Sequence, residues 1–366
     1  MKFIINREDL LTPLQQIVSV IEKRQTMPIL SNVLLVVEED SICLTGTDLE
    51  IQIIAKIATD SATPGTITVP ARKFLDICRL LPSGAEIKFE LQNDKVKILS
   101  NRSRFSLNCL SSDNYPEFSE TELSHYFFIN ARKLKKALDK TLFSMANQDV
   151  RYYLNGLMLN VSNNKIKLVA SDGHRLSIYE DNLDQDTGYD ARIIIPRKGA
   201  IELGRLLDDP DLELQVYFST NNIRIIINNL IFSAKLVDSK YPDFSKVFKQ
   251  EFISPIHIQK PALKEALTRV AILSNEKFKG VTLDITSNSL RISTHNPEHD
   301  EAEEEIVIEY MGPSLSIAFN SQYLLDAVSN LDSDFAVLTI ATNGSSCFIS
   351  DPDQRTYKFI VMPMKL

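Results

Sequence analysis

Residues 66–82 read TITVPARKFLDICRLLP, residues 191–207 read ARIIIPRKGAIELGRLL, and residues 315–331 read LSIAFNSQYLLDAVSNL. Each window opens as an apolar strand and turns at Pro70, Pro196 or Asn320. Each then continues with apolar residues three and four apart, the spacing of an amphipathic helix. Leu75, Ile201 and Leu325 correspond, as do Cys78, Gly204 and Val328, and Leu81, Leu207 and Leu331; every trio is separated by 126 and then 124 residues. One chain carries one pattern three times, and a repeat of this length constrains architecture more than any short motif does.

The surrounding landmarks recur in the same order. Thr47-Asp48, Ser171-Asp172 and His295-Asn296 follow strand-like runs at separations of 124 and 124. Tyr115-Pro116, Tyr241-Pro242 and Met362-Pro363 close the three copies. An earlier helix recurs at Leu10/Leu14, Leu134/Leu138 and Leu263/Leu267, with five residues fewer between helix and Asn296 in the third copy. Polar stretches at 119–125 and 248–255 read as connectors, which sets three domains at 1–122, 126–248 and 252–366. Inside each domain the order strand, helix, strands occurs twice; in the first, the halves are 2–56 and 66–110. Alternation in Lys95-Val96-Lys97-Ile98-Leu99 and Asn222-Ile223-Arg224-Ile225-Ile226 fits half-buried antiparallel strands. The expected fold is α+β, with each repeated domain placing two helices on antiparallel sheet.

The 366 residues are 44% hydrophobic and 24% charged, the balance of a globular chain rather than a disordered or fibrous one. A net charge of −8 argues against wholesale coating of nucleic acid, but not against a locally basic face. The start, MKFIINRE, meets charge early and holds no apolar segment of signal length, and no run of eighteen apolar residues occurs. Cys43, Cys78, Cys109 and Cys347 lie far apart with no Cys-x-x-Cys pair, which makes a reducing cytoplasm the simplest compartment.

Signatures of catalysis are missing. There is no Gly-x-x-x-x-Gly-Lys-Ser/Thr loop and no Gly-x-Gly-x-x-Gly fingerprint. His295 and His299 have a metal-ligand spacing only on a helix, which Pro297 opposes. Ser171, Asp172 and His174 hold the letters of a hydrolytic triad, but four consecutive residues place nucleophile, base and orienter in line only with difficulty. A turn after a strand is the preferred reading there. No cofactor, metal or catalytic residue is expected.

Charge is segregated. Residues 131–151 carry Arg132, Lys133, Lys135, Lys136, Lys140 and Arg151 against only Asp139 and Asp149. Helical windows add Arg72-Lys73 and Arg197-Lys198 at matching places in two repeats. Residues 298–309 hold seven acidic residues and no Lys or Arg. Each cluster alone reads as a solvated face. Together they suit repeated helices presenting cations to a phosphate backbone while the rest of the surface repels it.

Nine short motifs span the whole chain: LTGTDLE at 44–50, VPARK at 69–73, SRFSL at 103–107, QDVRYYLNG at 148–156, ASDGHRL at 170–176 and IIPRKG at 194–199, then KLVD at 235–238, AILSNEKF at 271–278 and VMPMKL at 361–366. By these motifs the chain resembles the bacterial DNA polymerase III beta subunit family, the DNA sliding clamps. Lys365 stands where family members often have Arg. The resemblance implies a head-to-tail homodimer closing a ring on duplex DNA without sequence specificity, each chain giving half. It also implies no activity of its own, and docking of the replicative polymerase alpha subunit, a clamp loader and other clamp-binding-motif proteins. At roughly 9 Å per helix, six inner helices cover about 55 Å of arc, so two chains enclose a bore of about 35 Å between helix axes.

The family pattern carries over residue by residue. Arg24, Arg72, Lys73, Gln148, Tyr153, Arg197 and Lys198 would approach DNA, although Tyr152 and Tyr153 equally suit a core or a partner pocket. A peptide pocket would comprise Leu154, Ser171, Gly173, His174, Arg175, Leu176, Pro242, Val247, Ile360 and Met362. A second part would add Phe278, Asn320, Tyr323, Ser346, Pro363 and Met364. One dimer edge would hold Lys73, Arg102, Arg104, Phe105 and Leu107, and the other Ile272, Leu273, Glu298, Glu301 and Glu304. The competing expectations are a hydrolase built on Asp172 and His174, and a repeat scaffold with no DNA role.

Overall fold

A computed structural model describes residues 1–22, 27–60, 62–118 and 123–365. The described residues form six α-helices: α1 (Arg7–Val20), α2 (Ala71–Leu80), α3 (Ala131–Asp139), α4 (Arg197–Leu206), α5 (Lys260–Val270) and α6 (Ser321–Ser329). Each follows a strand and precedes three more, so one strand–helix–three-strand module is repeated six times along the chain. The modules begin at strands Lys2–Asn6, Gly65–Pro70, His125–Asn130, Asp190–Pro196, Ile256–Gln259 and Leu315–Asn320. The α+β expectation, with two helices and antiparallel sheet per repeat, therefore holds.

Local chemistry explains the helix starts. Helix α1 buries Leu10, Leu14 and Ile17 completely, and Glu8 and Asp9 in its first turn suit the positive end of its dipole. Proline ends the strand before α2 and α4. At α6 the side chain of Asn320 does the work instead, accepting from the backbone N–H of Gln322 (2.9 Å) and Tyr323 (3.2 Å). The helical trios differ in depth. Leu81, Leu207 and Leu331 are all buried, and so are Cys78, Gly204 and Val328, whereas Ile201 and Leu325 are only half-buried.

The chain divides into two compact units, Met1–Lys135 with Lys198–Asp238, and Lys136–Arg197 with Ser239–Leu366. The first contains an eight-stranded antiparallel sheet in which strand Ile51–Ala58 pairs with strand Leu230–Lys235, from Leu230 opposite Ala55 to Ala234 opposite Ile51. The second contains an eight-stranded sheet joined in the same manner, strand Arg175–Asn182 pairing with strand Tyr357–Val361, from Arg175 opposite Val361 to Tyr179 opposite Tyr357. Each junction fuses the last strand of one module to the last strand of another. The two remaining last strands, Ser103–Asn108 and Glu301–Val307, end smaller sheets and, among the described residues, have a neighbour on one side only. Strand Lys95–Ser100 alternates between exposed and buried residues, as its sequence predicts.

Candidate functional site

The turn at Ser171–Arg175 is built by its own side chains. The Ser171 hydroxyl accepts from the Gly173 N–H (3.0 Å) and donates to the Arg175 carbonyl (2.7 Å). Asp172 Oδ1 accepts from the N–H groups of His174 (2.9 Å) and Arg175 (3.0 Å). Its Oδ2 accepts from Arg175 Nε at 2.9 Å. Ser171 is thus committed to backbone and Asp172 to arginine, so this is the strand-end turn expected and not a hydrolytic triad. Gly173 has φ +90°, and a Cβ there would meet the Arg151 guanidinium at 2.7 Å, so shape and backbone both call for glycine.

That turn leads into a cavity of about 180 Å³ floored by Leu176 and Ile360, which face each other in register. Pro242, Val247, Met362, Ser171, Gly173 and Arg175 line it, and Tyr241, Asp243 and Phe244 complete the wall. Those last three belong to the Tyr-Pro-Asp-Phe run that marks the end of the second repeat, a signal available in the sequence but used there only as punctuation. Leu154 is buried and His174 lies beside the cavity, its ring stacked on Tyr323 at 6.4 Å. Arg175 Nη1 reaches Asp326 at 2.5 Å, and the guanidinium lies 4.5 Å from the centre of the Tyr323 ring. Burial pushes the Tyr323 hydroxyl pKa up.

The second part of the expected pocket is dispersed. Phe278 and Met364 line a separate cavity of about 370 Å³ with Asn275, His295, Asn296 and Pro297. Asn320 is the α6 cap and donates to the Phe278 carbonyl at 3.1 Å. Ser346 is 1% exposed, so it lines nothing open. Pro363 is half-buried between Met362 and Met364. His295 ends a strand and His299 sits in a turn at φ 68°, so their spacing is not helical.

The open edges carry opposite charge. On strand Ser103–Asn108, Arg104 is exposed, Phe105 half-buried and Leu107 buried at 9%, with exposed Arg102 just before it. On strand Glu301–Val307, Glu301, Glu303 and Glu305 are exposed, and Val307 is 84% exposed. Nearby Ile272 is 75% exposed, large for a β-branched apolar side chain, and Leu273 is half-buried. Glu298 is exposed in the preceding turn. Glu304 is already engaged: Arg269 grips both its oxygens at 2.6 and 2.9 Å and lowers its pKa. Val307 was not anticipated, because nothing in a single valine tells an edge from an interior strand.

The cations are less free than their clustering implies. Lys198 is held by Glu22 (2.7 Å) and by the buried Asp48. Burial alone would lower its pKa, but these carboxylates outweigh it and raise it. Arg197 donates to the Met145 (2.9 Å) and Ala146 (3.2 Å) carbonyls. Burial, then the neighbouring Arg175 charge, lowers its pKa. Arg132 pairs with Asp211 (2.8 Å), and Lys136 (3.0 Å) and Lys140 (2.5 Å) with Asp332. Arg72 donates to the Ile21 carbonyl at 2.7 Å yet stays exposed, as do Lys73 and Gln148. Tyr153 packs edge-on to Tyr241 at 6.4 Å, while Tyr152 is 77% exposed. Arg24 lies outside the described residues.

Comparison with known proteins places these features in a family. The family models for the DNA polymerase III beta subunit match its N-terminal domain at residues 1–119, its central domain at 128–243 and its C-terminal domain at 245–365. The beta sliding clamps of Pseudomonas aeruginosa and Escherichia coli K12 are each 41% identical over 367 residues, covering all of both chains. The crystal structure of a DnaN sliding clamp from Pseudomonas aeruginosa bound to griselimycin superposes with TM-score 0.97 at 41% identity over the full length of both chains. Caulobacter crescentus pol III beta superposes with TM-score 0.94 at 32% identity, again over both full lengths.

Proposed function

Because the chain belongs to the DNA polymerase III beta subunit family, we infer that it works as a DNA sliding clamp, a homodimer that encircles duplex DNA and tethers the replicative polymerase and other partners to it. It is a processivity subunit and not a catalyst; its role is topological. A closed ring holds DNA without tight contacts and therefore slides, and phosphate contacts suit this because they carry no sequence information.

The observation that carries the reading is the unfinished sheet pattern. Last strands fuse at Ile51–Ala58 with Leu230–Lys235 and at Arg175–Asn182 with Tyr357–Val361, and the same step is left open at Glu301–Val307 and Ser103–Asn108. A second copy supplies the missing neighbour at both ends, giving two unlike-edge contacts that close. Phe105, Ile272, Leu273 and exposed Val307 give apolar contact, while Leu107 is already buried in its own chain, and Arg102, Arg104 and Lys73 against Glu298 and Glu301 set register. Partner peptides enter the cavity over Leu176 and Ile360, whose Met362 wall adapts to varied side chains. Arg72, Lys73 and Gln148 are the exposed members of the DNA-facing set. Three domains at 1–122, 126–248 and 252–366 and a cytoplasmic location accompany this role. No described helix is long and apolar enough to cross a membrane.

The test is retention on nicked circular DNA after loading, followed by linearisation. The clamp is expected to stay on the circle through a high-salt wash and to leave when the circle is cut. Retention that is indifferent to cutting would overturn the topological mechanism.

A further inference from the structure

We propose that a basic groove of about 640 Å³ beside the peptide cavity binds an acidic stretch of the same partner peptide whose apolar part fills that cavity. The proposal rests on the peptide-pocket reading above and adds a second, charge-reading compartment to it. Phe244 lines both compartments. They lie on one face of the same paired strands: Leu176 faces Ile360 in the cavity, and Ile178 faces Lys358 in the groove. Two residues of strand separate them, roughly 7 Å. An extended peptide crosses that distance in about two residues, so one short segment occupies both.

The groove is unbalanced in charge. Glu180 is shared by Lys165 (3.6 Å) and Lys167 (2.6 Å), and Asp181 accepts from the Tyr179 hydroxyl at 2.9 Å. Among the described residues, Lys249, Arg355 and Lys358 line the groove with no carboxylate at ion-pair distance, and Lys249 acts at longer range on Asp243. All three are exposed, in a protein of net charge −8. The Lys358 ammonium lies 6.0 Å over the Phe248 ring, which packs edge-on against Phe348 at 5.5 Å. A cation on an aromatic shelf suits a side chain that is acidic at its tip and apolar at its stem.

The position favours peptide over duplex. Strand residues alternate in direction. Tyr357, next to Lys358, points the other way, with its ring under Lys140 and its hydroxyl accepting from the Asp332 N–H at 2.8 Å. Lys140 directly follows α3 and Asp332 comes shortly after α6. The groove therefore opens on the sheet face opposite to Lys140 and Asp332, not on the face that carries the Lys136 and Lys140 cations.

The probe is a fluorescent neutral peptide with a short apolar anchor of leucine and phenylalanine, alone or extended at either end by three Glu, three Ser or three Lys. Binding to the full-length protein is followed by polarisation at low and high salt. For one orientation the Glu extension is expected to tighten binding about fivefold over Ser, as two or three partly exposed ion pairs allow, and the Lys extension to weaken it. The gain should vanish at high salt and in the double variant Arg355→Glu, Lys358→Glu, while the unextended peptide binds that variant normally. Equal affinities for Glu and Ser extensions, or a gain that survives the double variant, overturn the groove. If the unextended peptide fails to bind, or binds a Val247→Asp variant unchanged, the cavity reading is wrong and the groove falls with it. If a single-stranded oligonucleotide matches the Glu peptide and loses binding in the double variant, the groove is a nucleic-acid site and the peptide proposal is overturned.

Discussion

Arg175 holds three groups at once: Asp172 through Nε, Asp326 through Nη1, and the face of Tyr323. Its side chain is 12% exposed, so removing it strands two carboxylates in a poorly solvated place. Arg175→Ala is expected to cost about 3 kcal/mol, seen as a lower urea midpoint at unchanged slope, whereas Arg175→Lys keeps the charge, loses the fork and falls between. Asp149 makes a different test. Arg151 bonds both its oxygens, and the Arg151 N–H bonds it too, which holds the carboxyl pKa down to about 2 from 3.8. The folded value is the lower one, so the stabilisation is complete above about pH 4 and is lost as pH falls through 2. Amide exchange across residues 149–155, corrected for intrinsic rates, should keep its protection down to about pH 4 and lose it only below about pH 3. Protection already lost near pH 5 would remove Asp149 from that role. Both residues were legible as members of a motif, and so were their near partners Arg151 and Asp172, but the distant partner of Arg175 was not. Asp326 lies 151 residues from Arg175, just as Asp48 lies 150 residues from Lys198. Sequence clustering of cations finds where charge is dense; only the fold shows which are already engaged, Lys198 by the Glu22 and Asp48 carboxylates and Arg197 by the Met145 and Ala146 carbonyls.

At the scale of elements, the repeat made most of the architecture legible. Apolar spacing after Pro70, Pro196 and Asn320 located three helices, and the recurring leucine pairs located the other three. What stayed hidden was the order of strands across domain boundaries, because pairing partners in an antiparallel sheet are chosen by tertiary contacts and not by alternation alone. The fused junctions show that the last strand of a module seeks another last strand. An exposed edge of this kind invites pairing, and Ile272, 75% exposed just after α5, adds an apolar reason to bury it. Ile272→Ala with Leu273→Ala removes mainly exposed surface, so each chain should keep its far-ultraviolet spectrum while light scattering reports the monomer mass of 41.4 kDa. An unchanged dimer mass would remove these two residues from the interface.

At the scale of the whole molecule, the decisive property is that each protomer carries two unlike edges, and a closed pair uses both. In the proposed ring, three domains per chain and two chains leave two equivalent contacts, each expected between the Ser103–Asn108 edge of one protomer and the Glu301–Val307 edge of its partner. A heterologous contact has a consequence that a self-complementary patch lacks. Take one chain altered only at its first edge, Arg104→Glu with Phe105→Ala, and another altered only at its second, Ile272→Ala with Leu273→Ala. Neither associates well with itself, since every contact then includes one damaged edge. Mixed together, they form one contact between two intact edges and one between two damaged edges. The mixture is expected to recover dimer mass in sedimentation at concentrations where either chain alone is monomeric, and yet to be lost from nicked circular DNA as fast as from linear DNA. Wild-type protein has the same mass and stays on the circle. Recovery of mass together with full retention would mean that a single good contact suffices to close the ring; no recovery of mass would mean that the two edges do not meet each other. Either result would separate association from enclosure, and enclosure lets a protein of net charge −8 be retained on a polyanion without tight contacts.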